Sequence, residues 1–280
     1  MDWTRDLPGW SHPSLSRRIV HGSHRWHVQD AGSGPSLLLL PGAGASVHTW
    51  RDLILPLAET HHVIAIDLPG QGFTQSPNNA RSGLEETSSD LRNMITDNSW
   101  KVETVIGHSA GAAIGLKLAQ TLPITKVIGI NPALDNFEGM AGWLFPILAR
   151  MLAANPFTAN IFAGFATPAR ARRLIEGTGS KIDAEGLSYY TRLTGDRAHV
   201  NGALQMMARW SLETLLKDLP QIPAETLFIT GSDDKAVPPN VAERAASRLP
   251  NALLRQLEGL GHLAHEEDPA RVLAEIRNFL

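Results

Sequence analysis

Along most of the chain, short runs of Val, Ile and Leu alternate with longer stretches in which apolar residues recur every three or four positions. Runs of the first kind suit strands buried on both faces, and stretches of the second kind suit the helices that cover them. Together they predict a largely parallel sheet. The strand runs are residues 36–40, 62–67, 103–106, 126–130, 226–230 and 253–257. The first four end in breaker clusters: Pro41-Gly42, Leu68-Pro69-Gly70, Gly107-His108-Ser109 and Asn131-Pro132. Such clusters mark the carboxyl edge of an open α/β sheet, where ligands bind. Ahead of them, residues 24–29 predict one arm of an antiparallel edge hairpin that turns at Gly32-Ser33-Gly34-Pro35, and residues 269–280 predict a covering helix.

The rhythm breaks near Asp135 and resumes after Trp210, with helical pieces punctuated by Gly and Pro between. We therefore expect a core built from residues 1–134 and 214–280, and an inserted helical cap over 135–213, after the sixth strand. Nine of the seventeen aromatic residues fall in the insertion: Phe137, Trp143, Phe145, Phe157, Phe162, Phe165, Tyr189, Tyr190 and Trp210. They suit either an apolar roof over a ligand pocket or the insertion's own small core. Residues 140–169 carry one charge, Arg150, but Pro146, Asn155 and Pro156 interrupt them before about 20 apolar residues accumulate, so a membrane-crossing helix is not expected. Contact with a membrane surface stays open, although the Lys-rich flank of an interfacial helix is missing. Arg170, Arg172 and Arg173 follow, suited to carboxylates or to a solvated helix face.

Composition narrows the chemistry. In 280 residues, 43% hydrophobic and 19% charged, there is apolar surface enough for a substantial core. The net charge of -3 offers no basic footprint for nucleic acid. With no cysteine, thiolate nucleophiles, disulfides and Cys-ligated zinc are excluded. The first fourteen residues mix charges and prolines with Trp3 and Trp10 and do not form the apolar stretch of a signal peptide, so a cytoplasmic location is expected. Histidines cluster at His21, His24 and His27 and at His61 and His62, but strand alternation would turn His24 and His27 apart, and no acidic partner is evident. Neither a metal nor a cofactor is expected.

The sharpest motif is Gly107-His108-Ser109-Ala110-Gly111, set between a predicted strand and the helical run 110–121. In a strand-turn-helix elbow the central residue sits in a strained turn, and glycines two positions to either side remove Cβ atoms that would strike backbone. Ser109 is thus the candidate nucleophile, and its hydroxyl needs a base and a group to orient that base. Gly259-Leu260-Gly261-His262 follows the last strand run and offers His262, with His265 as competitor. For the acid, the loop from Gly231 to Pro238 offers Asp234, with Asp233 beside it and Asp135 as a third candidate. Oxyanion donors are expected from the backbone N–H groups of Ala110 and of Ala43, in Pro41-Gly42-Ala43-Gly44. His108, Trp143, Phe145 and Phe162 are the expected substrate-pocket residues.

These residues, with Asp67-Leu68-Pro69-Gly70-Gln71-Gly72, resemble the α/β-hydrolase superfamily over nearly the whole chain, in the chain order Ser109, Asp234, His262. The resemblance departs at Pro41, where most members have His, and at Thr74, where they have Ser. Serine at 109 also sets the chain apart from dehalogenases and epoxide hydrolases, which use Asp there. More narrowly, Trp10-Ser11-His12-Pro13, residues 24–29, 40–46, 67–74 and 106–113 resemble the BchO-type magnesium-chelatase accessory proteins of bacteriochlorophyll-making bacteria. That resemblance implies a role near Mg insertion into protoporphyrin IX, a tetrapyrrole as the small-molecule ligand, and chelatase subunits as partners. Either hydrolysis of an ester or non-catalytic tetrapyrrole binding fits it.

Overall fold

The computed structural model describes residues 1–77, 81–135, 164 and 166–280. Its strands are β1 (Ser16–His21), β2 (His24–Ala31), β3 (Ser36–Leu40), β4 (His62–Ile66), β5 (Val102–His108), β6 (Lys126–Ile130), β7 (Glu225–Gly231) and β8 (Ala252–Leu257). They form one sheet in the order β1-β2-β4-β3-β5-β6-β7-β8. From β4 to β8 every neighbouring pair is parallel, whereas β1 and β2 run antiparallel at one edge. This is the mostly parallel, helix-flanked sheet that the α/β-hydrolase resemblance implies.

Alternate side chains of each central strand feed opposite cores. Leu38, Leu40, Ile64, Ile66, Val105 and Val127 pack on one face with helices α1 (Leu84–Asp97), α2 (Ala110–Ala119) and, further along the chain, the helix Asn240–Ala246. Leu37, Leu39, Val63, Ala65, Ile106 and Ile128 pack on the other with Trp50, Ile54, Val272 and Ile276, the last two from the helix Pro269–Phe279. Helix α1 shows why these segments fold as they do: Leu84, Thr87, Leu91, Met94 and Ile95 recur along one buried stripe, and Glu85 and Glu86 complement the helix dipole in its first turn.

The edge hairpin differs from expectation. Strand β2 does form one arm, but its partner is the preceding β1, through Gly22-Ser23, with His21 opposite His24. Gly32 to Pro35 instead carries the chain from β2 to β3, which lies beyond β4. The β1 segment alternates too weakly to signal itself, because Arg17, Arg18 and Val20 all face solvent.

Between β6 and β7 the described chain is helical: α3 (Pro168–Gly177), α4 (Ala184–Gly195) and α5 (Arg197–Arg209). Tyr189, Tyr190 and Leu193 of α4 pack with Leu7, Trp10, Ala45 and Phe73 in a third apolar cluster, which ties the amino-terminal segment to the insertion. On α3, Arg172 and Arg173 are exposed. Trp143, Phe145 and Phe162, and most of the apolar stretch 140–169, lie outside the described residues. Among the described residues no helix is long and apolar enough to cross a membrane.

The early histidines do have acidic partners, contrary to the sequence reading. His21 pairs with Asp97 at 2.8 Å, His24 with Asp90 at 3.0 Å, His27 with Asp67 at 2.7 Å and His62 with Asp30 at 2.7 Å. Each acid lies outside the strand of its histidine, Asp90 and Asp97 both on α1, so linear spacing carried no hint of the pairing.

Candidate active site

Strands β3 and β5 are neighbours whose connections leave in opposite directions, β3 toward β4 and β5 toward β6. Such a switch point opens a crevice at the carboxyl edge. Ser109 follows β5 there, and the Pro41 to Ala45 loop follows β3. Ser109 has φ 51 and ψ -114, a strained conformation for a residue with a side chain, and it caps α2. Its N–H donates to Ile130 O at 2.9 Å, and its carbonyl accepts from the N–H groups of Ala112 and Ala133. The flanking glycines are sterically required. A Cβ on Gly107 would come within 2.3 Å of the Gly111 backbone, and one on Gly111 within 2.1 Å of Leu40 O.

The Gly42 backbone packs against the elbow, since a Cβ there would lie 3.2 Å from Ser109 Cβ. Ala43 is the next residue along this loop. Among the described residues, neither the Ala43 nor the Ala110 N–H donates to a backbone carbonyl. Both are therefore free of the turn and helix ladders next to which they sit.

The acid and histidine loops meet one strand pair away. His262 Nδ1–H donates to Asp234 Oδ2 at 2.7 Å, and the Asp234 side chain is fully buried. The other carboxylate oxygen accepts from the N–H groups of Ala236 and Val237, each at 2.8 Å, which holds the acid in place. Of the other candidates, Asp233 accepts from the Ser232 hydroxyl and Asp135 pairs with Arg244. His265 is buried and donates from Nε2 to Thr49 Oγ1 at 2.6 Å. Burial, with repulsion from His262 and Arg51, holds its pKa down to about 3.

His108, expected in the pocket, is buried between the elbow and the histidine loop. Its Nε2–H donates to His262 O at 2.9 Å, and its ring lies 4.7 Å from that of His262 and 4.6 Å from that of His265. Burial keeps this imidazole neutral, well below its ordinary range.

Two residues escaped the sequence reading. Asn131, buried and left-handed at φ 44, donates from Nδ2 to His262 O at 2.7 Å and to Gly261 O at 2.9 Å. Its Oδ1 accepts from Gly231 N–H at 2.8 Å, so one side chain fastens the acid loop to the histidine loop. His199 of α5 accepts from Gly72 N–H at 3.0 Å and donates to Gly44 O at 3.1 Å. A turn-favouring Asn directly after β6 was the available signal for the first; the second left none.

The two departures from the superfamily pattern are locally accommodated. The Thr74 hydroxyl donates to Asp67 O and accepts from His27 N–H, both at 2.9 Å. With Pro41 in place of His, Gly44 N–H is held by Gln71 Oε1 at 2.6 Å. Among the described residues, no three His, Asp or Glu side chains converge so as to hold a metal ion.

Residues 35–269 match the family model of the alpha/beta hydrolase fold. The chain belongs to this family. It is 46% identical over 266 residues to the magnesium-chelatase 30 kDa subunit of Rhodobacter capsulatus, covering 94% of this chain and 93% of that one. It is also 25% identical to the 2-hydroxymuconate semialdehyde hydrolase of a Pseudomonas species, over 96% of this chain and 94% of the other. Among solved structures, an α/β-hydrolase fold protein from Burkholderia ambifaria superposes with a TM-score of 0.78 at 22% identity, covering 94% of this chain and 97% of the other, a likeness of fold.

Proposed function

We propose that the chain is a serine hydrolase in which Ser109, His262 and Asp234 form the proton relay and the Ala43 and Ala110 amides form the oxyanion hole. The observation that supports this reading most is the buried 2.7 Å bond from His262 to Asp234, on loops that His108 and Asn131 fasten beside the strained Ser109 elbow. His262 Nε2 takes the Ser109 proton as Oγ bonds to the acyl carbon, and the carbonyl π pair moves onto oxygen, where the two amides stabilise it. Collapse breaks the bond to the leaving group, which carries away the proton from His262. Water then repeats the sequence to release the acid and restore Ser109.

In the cell we place this protein as an accessory factor around Mg insertion into protoporphyrin IX during bacteriochlorophyll synthesis, acting on or binding a tetrapyrrole alongside chelatase subunits. The 46% identity to a protein named as a magnesium-chelatase subunit supports that placement. We further read helices α3 to α5, within residues 135–213, as a cap over Ser109.

A fluorophosphonate probe tests the chemistry: the wild-type protein is labelled at Ser109 and Ser109→Ala is not. Absence of labelling where a known serine hydrolase reacts would sink it. The same chelatase kinship favours a second reading, a tetrapyrrole-binding module without turnover. In bacteriochlorophyll-making cells, loss of pigment with Ser109→Ala favours chemistry. Unchanged pigment, together with a saturable Soret shift of protoporphyrin IX at micromolar protein, favours binding alone.

A further inference from the structure

The loop that carries the Ala43 amide is a tight turn. Ala45 N–H donates to Gly42 O at 3.2 Å, and Gly44 sits at φ +81, the left-handed third position that a type II turn gives to glycine. The two peptide groups following Ala43 are each gripped from outside the turn. Gly44 N–H donates to Gln71 Oε1 at 2.6 Å, and Gly44 O accepts from His199 Nε2–H at 3.1 Å. The other ring nitrogen of His199 accepts from Gly72 N–H at 3.0 Å, so both bonds are made by a single neutral tautomer. Burial keeps the ring in that form by lowering its pKa to about 4.

Both grips lead to one helix face. His199, Gly202 and Met206 are three and four residues apart on α5. A Cβ on Gly202 would come within 2.1 Å of Gly70 O, so the helix rests directly on the loop after β4. Met206 Sδ receives the remaining Gln71 N–H contact at 3.1 Å. The turn beside Ser109 is thus anchored to a helix almost a hundred residues beyond the nucleophile.

We infer that His199, with Gln71, is a positioning residue for the oxyanion hole: through Gly44 it fixes the Ala43 amide, so that helix α5 and the oxyanion donor move as one unit. The inference rests on the serine-hydrolase reading. A donor displaced from the developing oxyanion weakens transition-state stabilisation and leaves ground-state binding nearly intact.

The test compares wild type, His199→Leu, His199→Gln and Gln71→Met on a p-nitrophenyl ester, with hydrogen exchange read at the Gly44 amide. His199→Leu and Gln71→Met lower kcat about 10- to 100-fold while KM changes less than about threefold, since outright loss of one oxyanion donor costs roughly 100- to 1000-fold. His199→Gln, which keeps a donor and an acceptor, recovers part of the rate. Exchange at Gly44 quickens while that in β5 does not change. Wild-type kcat in a folded His199→Leu protein overturns the inference. If that variant does not fold, wild-type kcat in Gln71→Met overturns it instead. A wild-type protein inert to both ester and fluorophosphonate overturns the hydrolase reading itself and the oxyanion role with it, a result distinct from an active enzyme indifferent to His199.

Discussion

His27 and Asp67 form a buried imidazole–carboxylate pair with Nδ1 and Oδ2 2.7 Å apart, the same separation as between His262 and Asp234. The far nitrogen of His27 lies 2.9 Å from Ser16 Oγ, so a serine, a histidine and an aspartate are linked here as well. This second chain lacks the other requirements of a nucleophile. Ser16 has ordinary extended backbone at φ -82 and ψ 130, and its Oγ also receives an N–H from Gln29 at 3.3 Å. Asp67 is occupied by the N–H groups of Val47 and Phe73, at 2.7 and 2.8 Å, and so serves to hold two loops to the sheet. We predict that Ser16→Ala leaves the fluorophosphonate labelling rate unchanged and that Ser109→Ala abolishes labelling, with mass spectrometry of the labelled peptide as the check. Label on Ser16 would refute this assignment.

The elbow glycines give a prediction about stability. The Cβ of Gly111→Ala would meet Leu40 O at 2.1 Å, and neither the strand carbonyl nor the helix start can yield without moving Ser109. Overpacking typically costs about 1–3 kcal/mol, and a contact with backbone belongs at the upper end or beyond. Gly177→Ala, at the end of α3 with nothing within 4 Å of the new methyl, is the control and is expected to be neutral or stabilising by up to about 1 kcal/mol. Urea denaturation of the two variants reads the difference, and equal midpoints would refute the steric account.

Strands β3 and β6 were legible to the residue because both faces of each are buried, leaving uninterrupted apolar runs closed by breakers. β1 was not, because its side chains mostly face solvent and its partner could be recognised only once paired. In the site, the elbow and the two loop ends announced themselves through glycines that the backbone geometry demands. His199 gave no comparable signal, and Asn131 and Gln71 showed only as members of turn motifs without their roles, because all three recognise backbone atoms of distant loops, which are the same in any sequence. The acidic partners of His24 and His27 were hidden for a related reason: contacts between elements 40 or more residues apart leave no local spacing.

Asn131 joins three loop ends with one amide, which makes its replacements informative. Asn131→Ala strands Gly231 N–H and removes a donor from His262 O, and each buried polar group left unpaired costs about 1–3 kcal/mol. Asn131→Asp keeps the acceptor for Gly231 but turns a carboxylate oxygen toward the carbonyls of Gly261 and His262. We expect both to slow labelling at Ser109 at least about tenfold, by loosening His262, with Asp the more destabilising in urea. Wild-type labelling by a folded Asn131→Ala protein would show that the histidine loop keeps its place without this side chain.

Buried neutral histidines set the response to acid. Burial holds His48 and His108 well below their ordinary range, His199 at about 4 and His265 at about 3. Once unfolded, each titrates near 6.5. Below that pH the unfolded chain binds more protons than the folded one, so this stabilisation is complete above about 6.5 and is lost as pH falls toward the folded values. Each group contributes a slope of roughly 1.4 kcal/mol per pH unit in that window. Glu266 acts in the opposite sense: burial raises its pKa, against the pull of Arg51, so it favours the fold at low pH and offsets up to about one proton. The unfolding free energy should therefore drop between pH 6.5 and 5 with a slope of roughly two to three protons. Urea titrations at half-unit steps measure it, and His265→Gln should remove about one proton from the slope. A flat profile over that interval would mean that these imidazoles are protonated in the folded protein.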